Sequence, residues 1–225
     1  MIIITAGMIK TFEECPIKYN LIYEKHLEIP SNDEYAEKGK KLHALINYYI
    51  KGYDIKNLIK SLENDENKEL YKLWNTFLSL DINMCEESEF SFSVPFDENI
   101  KIAGRTDAIR KIGNKYEILD WKTGKSENIN PENDWQSVVY LFGLYELFYY
   151  NKKIKNYDDL SMTYCFLNEN IKKTVNFSKE TYENYKEKLS EIIKKISQSQ
   201  DISIKNTNSC SKCSFNIICQ RAYIR

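Results

Sequence analysis

The segment GRTDAIRKIGNKYEILDWKTG, residues 104–124, decides the fold of this chain. Two strand-like runs, residues 100–111 and 115–122, lie on either side of Gly113 and Asn114. A Gly-Asn pair between two such runs is a signal for a two-residue hairpin loop. We therefore predict an antiparallel hairpin at this point.

A two-residue loop fixes the register of the hairpin, and the sequence itself tests that register. It sets Arg110 opposite Glu117, an attractive charge pair, and Ile109 opposite Ile118, an apolar pair. Opposed residues of these types stabilise an antiparallel pair. The predicted register is therefore consistent with the residues that it brings together.

The same register sets two carboxylates, Asp107 and Asp120, against each other. Opposed Cβ atoms lie ~4.5–5.5 Å apart, so the pair is destabilising unless a proton or a cation lies between the carboxylates. Lys122, two residues after Asp120, points to the same face. This constellation suits a Mg²⁺ or Mn²⁺ site for phosphodiester hydrolysis. The alternative is two solvated strand-edge aspartates with a neutralising lysine, since a D-x-K match alone is weak.

Outward from the hairpin, the spacing of apolar residues predicts helices and further strands. Helices are expected as two short segments around Cys15 within residues 8–28 and over residues 35–50, 70–80, 132–150 and 179–198. Strands are expected over residues 89–96, 160–167 and 172–177. The strand at 89–96 and the hairpin suggest an antiparallel meander. The fold class is thus α/β (α+β), with a central sheet flanked by helices.

Composition limits the class of protein. The chain has 225 residues, of which 42% are hydrophobic and 29% charged, with 7 Gly and 4 Pro, which predicts one globular domain over residues 1–225. The net charge of -1 excludes a strongly basic surface overall, so nucleic acid would need a local basic patch. Residues 1–8 lack the features of a signal peptide, and no apolar run reaches the ~18 residues of a membrane span. We expect a cytoplasmic protein.

Four short motifs carry a resemblance to a known family. Gly104-Arg-Thr-Asp107 resembles a G-x-x-D motif, and Asp120-Trp-Lys-Thr-Gly124 resembles a (D/E)-x-K-T-G motif. Upstream, residues 39–43 read GKKLH, and downstream, residues 136–140 read QSVVY. In this order the four motifs are similar to those of RecB-like PD-(D/E)XK nucleases, which implies a restriction-endonuclease-like core with a mixed sheet.

This resemblance implies a set of site residues and a Mn²⁺ or Mg²⁺ cofactor. The implied catalytic residues are Asp107, Asp120, Lys122, Gln136 and Tyr140. The implied metal ligands are His43, Asp107, Asp120 and the backbone carbonyl of Trp121. Apart from the resemblance, a single histidine beside an apolar stripe, as His43 is, would be interpreted as a core or surface residue. Glu89 is implied to lie near the site, without a catalytic role.

Four of the six cysteines have a spacing typical of metal ligands. Cys210, Cys213 and Cys219 form C-x2-C-x5-C, and Cys15 lies in the first helical segment. In a reducing compartment such a set indicates metal binding rather than disulfides. Four thiolates could hold zinc or an iron-sulfur cluster, and the spacing alone does not choose. Cys85 and Cys165 fall outside this pattern and are expected in or near the core.

The cysteine pattern resembles that of AddB-type repair nucleases and CRISPR-associated exonucleases. This resemblance implies a four-iron four-sulfur (4Fe-4S) cluster held by Cys15, Cys210, Cys213 and Cys219. Residues 1–30 and 200–225 would together form the cluster region and join the two ends of the chain.

The function implied is a metal-dependent exonuclease acting on single-stranded DNA ends, in CRISPR spacer acquisition beside the integrase complex. Two alternatives stay open: a repair or phage exonuclease, and a non-catalytic, cluster-bearing DNA-binding module. A weak basic rim would contact the DNA: Lys38, Lys40, Lys41, Lys122, Lys125, Lys212, Arg221 and Arg225. No membrane partner is expected.

Overall fold

The computed structural model describes residues 2–29, 34–64, 67–80, 85–198, 210–211 and 213–223. Residues 1, 30, 200–209, 212, 224 and 225 of the predicted cluster region lie outside this range. In the basic rim, Lys212, Arg225 and the side chain of Arg221 also lie outside it. The α-helices are α1 Ala6–Glu14, α2 Pro16–Tyr19, α3 Glu34–Ile50, α4 Lys56–Ser61, α5 Lys68–Ser79, α6 Trp135–Tyr150, α7 Lys179–Gln198 and α8 Asn216–Tyr223. A π-helical turn, Asn20–Glu24, follows α2, and 3₁₀ turns lie at Ser126–Asn128 and Tyr157–Asp159.

The strands form one mixed sheet. They are β1 Ile2–Ile4, β2 Cys85–Pro95, β3 Ile100–Ile112, β4 Lys115–Lys122, β5 Leu160–Phe166 and β6 Ile171–Asn176. The order within the described residues is β1-β3-β4-β5-β6, and β2 also pairs with β3. The β1–β3 and β4–β5 pairs are parallel, and the other pairs are antiparallel. The mixed sheet and the β2–β3–β4 meander were predicted from the sequence and are confirmed.

The hairpin that joins β3 to β4 has the predicted register. Ile112 pairs with Lys115, and Arg110 pairs with Glu117. Gly113 has a φ of 62°, in the left-handed region that glycine adopts without a steric penalty. A two-residue loop therefore sets the register, as the sequence predicts.

Helix α6 is the centre of the larger core, on one face of the sheet. Its buried residues run from Ser137 to Phe148 and cover its whole circumference. A helix that is apolar on all sides must be enclosed, and α6 lies between the sheet, α1 and α7. This enclosure holds α6 against β2, β3 and β5 of the sheet.

The opposite face of the sheet has a second core. Leu42 and Ile46 of α3 and Trp74 of α5 pack there with Trp121 of β4. In this cluster the ring of Phe77 lies 5.4 Å from that of Trp121, edge to face. Helix α3 is thereby fixed on the side of the sheet opposite α6, and the end of β4 lies between them.

Strand β2 changes its facing direction at one residue. Phe90 packs in the α6 core, 6.2 Å from Phe148, whereas Ser88 donates a hydrogen bond to Asn47 of α3 at 2.6 Å. Residues two apart in a regular strand share a face, so the alternation is reversed between them. Glu89, with a φ of 55°, is the residue at which it reverses.

Several boundaries differ from the predicted ones. Strand β2 begins at Cys85 rather than Glu89, because the reversal at Glu89 hides the alternation before it. Helix α6 begins at Trp135 rather than Glu132, because Asp134 caps it. Helix α4 and strand β1 were not predicted, and β1 exists through its pairing with Ile100–Ile102 of β3.

No helix in the described parts of the chain has both the length and the apolar character needed to cross a bilayer.

Candidate active site

The two opposed aspartates lie where the β3–β4 ladder stops. The last paired residues are Ala108 and Leu119, one step before Asp107 and Asp120. Instead of continuing the ladder, Asp107 uses its side chain: its Oδ2 accepts a hydrogen bond from the backbone N–H of Trp121 at 2.8 Å. The carboxylates therefore lie at an open end of the hairpin rather than within it.

His43 reaches this end from α3 on the far side of the sheet. Its Nδ1 lies 3.1 Å from Asp107 Oδ1, and its Nε2 lies 3.1 Å from the carbonyl oxygen of Trp121. Burial acts to lower the pKa of His43, but the hydrogen bond to Asp107 and the charges of Asp107 and Asp120 outweigh it, so the pKa is raised. The imidazole thus contacts two other predicted site groups, the Asp107 carboxylate and the Trp121 carbonyl.

Gln136 connects the lysine and the second aspartate from the first turn of α6. Its Oε1 accepts a hydrogen bond from Lys122 Nζ at 2.6 Å, and its Nε2 donates to Asp120 Oδ2 at 3.1 Å. The same Nε2 lies 3.4 Å from the hydroxyl oxygen of Tyr140, one turn further along α6. The predicted catalytic residues on β4 and α6 therefore form one hydrogen-bonded group.

The position of Gln136 depends on how α6 begins. Asp134 Oδ1 accepts a hydrogen bond from the Gln136 backbone N–H at 2.8 Å, which is an N-cap contact. Asp134 also pairs with Lys10 of α1 at 2.9 Å and accepts a bond from the Tyr164 hydroxyl at 3.2 Å. Strand β5 and helix α1 thus hold the capping residue in place.

Two glycines let α6 approach the sheet closely enough to deliver these side chains. A Cβ at Gly104 would lie 2.7 Å from the ring of Tyr140, and a Cβ at Gly143 would lie 2.3 Å from the ring of Phe92. Neither distance is compatible with a real side chain. The glycine of the G-x-x-D motif therefore makes room for Tyr140, and Gly143 sets the depth of α6.

Asp120 is almost completely enclosed, with 3% of its surface exposed. Burial, and then the charge of Asp107, raise the pKa of Asp120 to about 6, against the opposing effect of Lys122. Its Oδ1 lies 2.6 Å from Lys122 Nζ as an ion pair, yet no donor meets it with hydrogen-bond geometry. This oxygen keeps acceptor capacity for a cation.

The binding of one metal ion by His43, Asp107 and Asp120 stays a prediction. Across the described ranges, no three His, Cys, Asp or Glu side chains form a group that could hold a metal ion as they stand. The physical reason is that both ring nitrogens of His43 contact Asp107 and the Trp121 carbonyl directly. The types of donor present, which are two carboxylates, a carbonyl and an imidazole, nevertheless fit Mg²⁺ or Mn²⁺. One of the carboxylate oxygens, Asp120 Oδ1, is buried without a hydrogen-bond partner.

The cysteines predicted to hold the cluster come from both ends of the chain. Cys15, Cys213 and Cys219 pack against one small apolar group, formed by Ile17, Leu21 and Phe215. The carbonyl of Cys210 accepts the N–H of Cys213 at 3.2 Å, so the fourth cysteine is adjacent. The thiols do not converge into a metal-binding group among the described residues. Cys165 is buried in the second core and Cys85 packs beside it, as expected.

The sequence profile of the PD-(D/E)XK nuclease superfamily matches residues 4–220, almost the whole chain. The chain belongs to the PD-(D/E)XK nuclease superfamily. The assignment of the catalytic motif in that superfamily name to Asp107 and to Asp120-Trp-Lys122 stays a prediction. The matched range includes both cysteine segments.

Two solved structures align with most of this chain. A candidate exonuclease from Eubacterium rectale aligns with a TM-score of 0.55 at 11% identity, over 89% of this chain and 82% of that chain. The crystal structure of SSO0001 aligns with a TM-score of 0.45 at 16% identity, over 96% of this chain and 85% of that one. No curated protein matches the sequence.

Two residues of this PD-(D/E)XK site were missed from the sequence. Asp134 directly precedes the apolar run of α6, which is a signal for an N-cap residue. Gly143 is a glycine inside a helical pattern, and such a residue often marks a close packing contact. Both signals are local, but only the packing of α6 on the sheet links them to the site.

Proposed function

We propose that this protein is a metal-dependent DNA exonuclease that degrades single-stranded DNA from its ends. The observation that carries the proposal is the Gln136 side chain, which bonds to both Lys122 and Asp120 beside Asp107. Phosphodiester hydrolysis needs an acidic site for a cation and a positioned lysine, and this end of the sheet provides both. The structural similarity to a candidate exonuclease supports the proposed attack on ends.

The residues that would hold the cation are His43, Asp107, Asp120 and the Trp121 carbonyl. A bound Mg²⁺ or Mn²⁺ would lower the pKa of a water molecule and polarise the phosphate. Asp120 must be ionised to bind the cation, and the cation in turn stabilises the ionised form of this buried carboxyl. The pKa near 6 allows this at neutral pH.

The chain's own side chains then orient the reacting groups. Lys122 carries its charge between Asp120 and Gln136, where it can stabilise negative charge that develops on the phosphate. Gln136 holds the lysine on one side and the carboxylate on the other, so neither can rotate away. Tyr140, whose pKa burial raises to about 12, stays protonated and can donate a hydrogen bond.

We also propose that Cys15, Cys210, Cys213 and Cys219 hold a 4Fe-4S cluster that joins residues 1–30 to residues 200–225 within a single domain. The support is the meeting of N-terminal and C-terminal cysteines on one apolar group. Zinc on the same thiolates is the alternative, and metal analysis of anaerobically purified protein distinguishes the two. A thiolate cluster of either kind would place the protein in the reducing cytoplasm.

For the biological role we propose the processing of DNA ends in CRISPR spacer acquisition, in contact with the integrase. The four motifs and the cysteine pattern support this role through their resemblance to the CRISPR-associated exonucleases. A repair or phage exonuclease would share the same site. Co-purification with the integrase subunits, compared with co-purification with repair helicases, tests the choice.

The activity test uses end-labelled linear single strands and closed single-stranded circles, with Mn²⁺, Mg²⁺ or EDTA. We expect linear strands to shorten with either metal while circles survive. Asp120→Ala should be at least ~10³-fold slower, because it removes a metal ligand and the partner of Lys122. Asp158→Ala, a change at an exposed aspartate beside Lys115, is the matched control and should cut normally.

Cleavage of circles would replace the exonuclease with an endonuclease. A folded wild-type protein that binds DNA and cuts nothing with either metal would leave the DNA-binding module as the better description.

A further inference from the structure

Arg105 is an exposed cation close to the catalytic hairpin. It lies on β3 two residues before Asp107, and 67% of its side chain is exposed. The chain is strongly biased to lysine, since arginine supplies only Arg105, Arg110, Arg221 and Arg225 among 32 basic residues. Arg110 is taken up by an ion pair with Glu117. An arginine at an exposed position beside the site therefore calls for an explanation specific to its planar guanidinium group.

Glu89 holds this guanidinium from the neighbouring strand. Its Oε2 lies 2.9 Å from Arg105 Nη1, and its own side chain is only 25% exposed. The pairs Ser88–Ala108 and Phe90–Thr106 place Glu89 across from Asp107 on β2. The carboxylate is thus at the level of the catalytic aspartate, on the strand next to it.

The backbone at Glu89 is held in an unfavourable conformation. Its φ of 55° lies in the left-handed region, which residues with a Cβ adopt rarely, and it lies in the middle of an 11-residue strand. Exposed ion pairs add little to stability, so the pair with Arg105 does not offset this cost by itself. Backbone strain of this kind is found mainly at functional sites.

The neighbouring cations are already committed to other groups. Lys122 is paired with Asp120 and bonded to Gln136, and Lys10 is paired with Asp134. Arg105 is close enough to Tyr140 for its charge to act on that hydroxyl and partly oppose the rise in the Tyr140 pKa, which burial causes. Its exposed guanidinium therefore lies at the border of the catalytic group and faces solvent.

We propose that Arg105 binds a phosphate of the DNA strand next to the phosphate that is cleaved, and that Glu89 is a positioning residue that holds the guanidinium ready. The proposal rests on the proposed function and extends it to a specific contact with the substrate. The guanidinium fork matches two phosphate oxygens, and Glu89 keeps it ordered before the DNA arrives. Ordering a long side chain in advance reduces the entropy lost on binding.

The first test is equilibrium binding of an end-labelled single-stranded oligonucleotide in EDTA, at several salt concentrations, without cleavage. Arg105→Ala should weaken binding about tenfold and make the plot of log affinity against log salt shallower by about 0.7, as the loss of one phosphate contact predicts. Arg105→Lys should keep the salt slope but lose part of the affinity, because lysine retains the charge without the fork. Lys111→Ala, at the far end of β3, is the matched control and should bind as the wild type does.

A second test locates the phosphate. Oligonucleotides with one neutral methylphosphonate linkage each are compared on the wild type and on Arg105→Ala. The wild type should lose affinity at one linkage beside the cleaved one, and Arg105→Ala should show no further loss there, because the two changes remove the same contact. Equal affinity, salt slope and linkage sensitivity in both proteins would overturn the proposal, even if the wild type cuts DNA normally. A wild type that neither binds nor cuts single strands would overturn the proposed function as well.

The role of Glu89 is tested separately by steady-state kinetics. Glu89→Gln should raise KM for DNA a few-fold and leave kcat and the half-saturating Mn²⁺ concentration unchanged, because it loosens a binding residue and touches no metal ligand. Combined with Arg105→Ala it should add no further effect. A shift in the Mn²⁺ requirement would contradict the positioning role and assign Glu89 to the metal site.

Discussion

The catalytic end of the sheet and the cysteine-bearing ends of the chain are built in different ways. At the catalytic end, between two large cores, His43 contacts Asp107, and Gln136 contacts both Lys122 and Asp120. At the chain ends, among the residues that the structure describes, three cysteines rest on a small apolar group whose buried members are Ile17, Leu21 and Phe215.

This difference distinguishes two ways in which side chains are held in place, by packing of the fold and by a bound metal. The catalytic side chains are held by the fold itself, through burial on both faces of the sheet and hydrogen bonds between neighbours. An apolar group of this size buries too little surface to fix the C-terminal cysteine segment by itself. We therefore expect the cysteine region to depend on its bound metal, and the catalytic region to depend on packing.

The largest expected effect is the loss of the metal from the chain ends. In Cys213→Ser, a purified protein that otherwise carries about four irons per chain should carry almost none, because one thiolate ligand is removed. Limited proteolysis should then cleave the C-terminal cysteine segment first, while the sheet and α3 to α7 stay protected.

Cys85→Ser changes a cysteine outside the set and should keep its iron. Full iron content and normal protection in Cys213→Ser would show that this cysteine is no ligand. One zinc per wild-type chain would replace the iron-sulfur proposal with a zinc site.

The converse change damages the catalytic end and spares the cysteines. In Gly143→Ala the new Cβ would meet the ring of Phe92 at 2.3 Å, so α6 must move away from the sheet. We expect the free energy of unfolding to fall by about 1–3 kcal/mol. Cleavage should fall by about tenfold or more, because Gln136 and Tyr140 move with the helix. Thermal unfolding and cleavage of linear strands measure the two effects, with iron content unchanged.

Gly7→Ala is the matched control, since its Cβ would meet its nearest neighbour only at 3.9 Å within α1. A Gly143→Ala protein with wild-type stability and activity would show that the close approach of α6 does not matter.

Local signals in the sequence are sufficient to predict the hairpin and the approach of its two carboxylates. The loop length and the Arg110–Glu117 pair fix the register, and this register predicts that Asp107 and Asp120 approach each other. It does not predict that the ladder ends just before them, because the end is set by the Asp107 side chain, which bonds to the Trp121 backbone. The motif residues were predicted by resemblance, and the contacts between them come from the packing of α3 and α6.

Features that depend on distant parts of the chain were not predictable. The reversal of β2 at Glu89 separates Ser88 and Phe90, which contact elements on opposite faces of the sheet, and a single residue gives no sign of it. Strand β1 exists only by pairing with β3, almost 100 residues later. The need for glycine at position 143 appears only when α6 meets Phe92.

A smaller effect concerns the free energy that is lost when the charged Asp120 carboxylate is buried at the catalytic end. Because the pKa of Asp120 in the fold is raised to about 6, the folded state binds its proton more tightly than the unfolded state does. The stability that this proton contributes is complete below about pH 4 and is lost as the pH rises through 6. At pH 8 in EDTA, the free energy of unfolding of Asp120→Asn should therefore exceed that of the wild type by about 1–3 kcal/mol. Near pH 4 the two proteins should be equally stable.

Thermal unfolding across this pH range measures the difference. Asp158→Asn, at an exposed aspartate, should follow the wild type. Mn²⁺ should reduce the difference in stability between Asp120→Asn and the wild type at pH 8, because it stabilises the wild type by binding to the ionised Asp120 carboxyl. An Asp120→Asn protein that is less stable at every pH would mean that the Lys122 pair outweighs the cost of burial.

The smallest expected effect lies at the N-cap of α6. Asp134→Ala should cost about 1 kcal/mol of stability, because the Gln136 backbone N–H loses its acceptor. Cleavage should fall only a few-fold, since the buried length of α6 still holds Gln136 near Asp120. Asp134→Asn keeps a capping oxygen and should recover most of both losses, while Lys10→Met removes only the ion pair and should change little. If Asp134→Asn is as impaired as Asp134→Ala, the ion pair between Asp134 and Lys10 is what positions α6. The catalytic side chains would then be held partly by electrostatic attraction and not by packing alone.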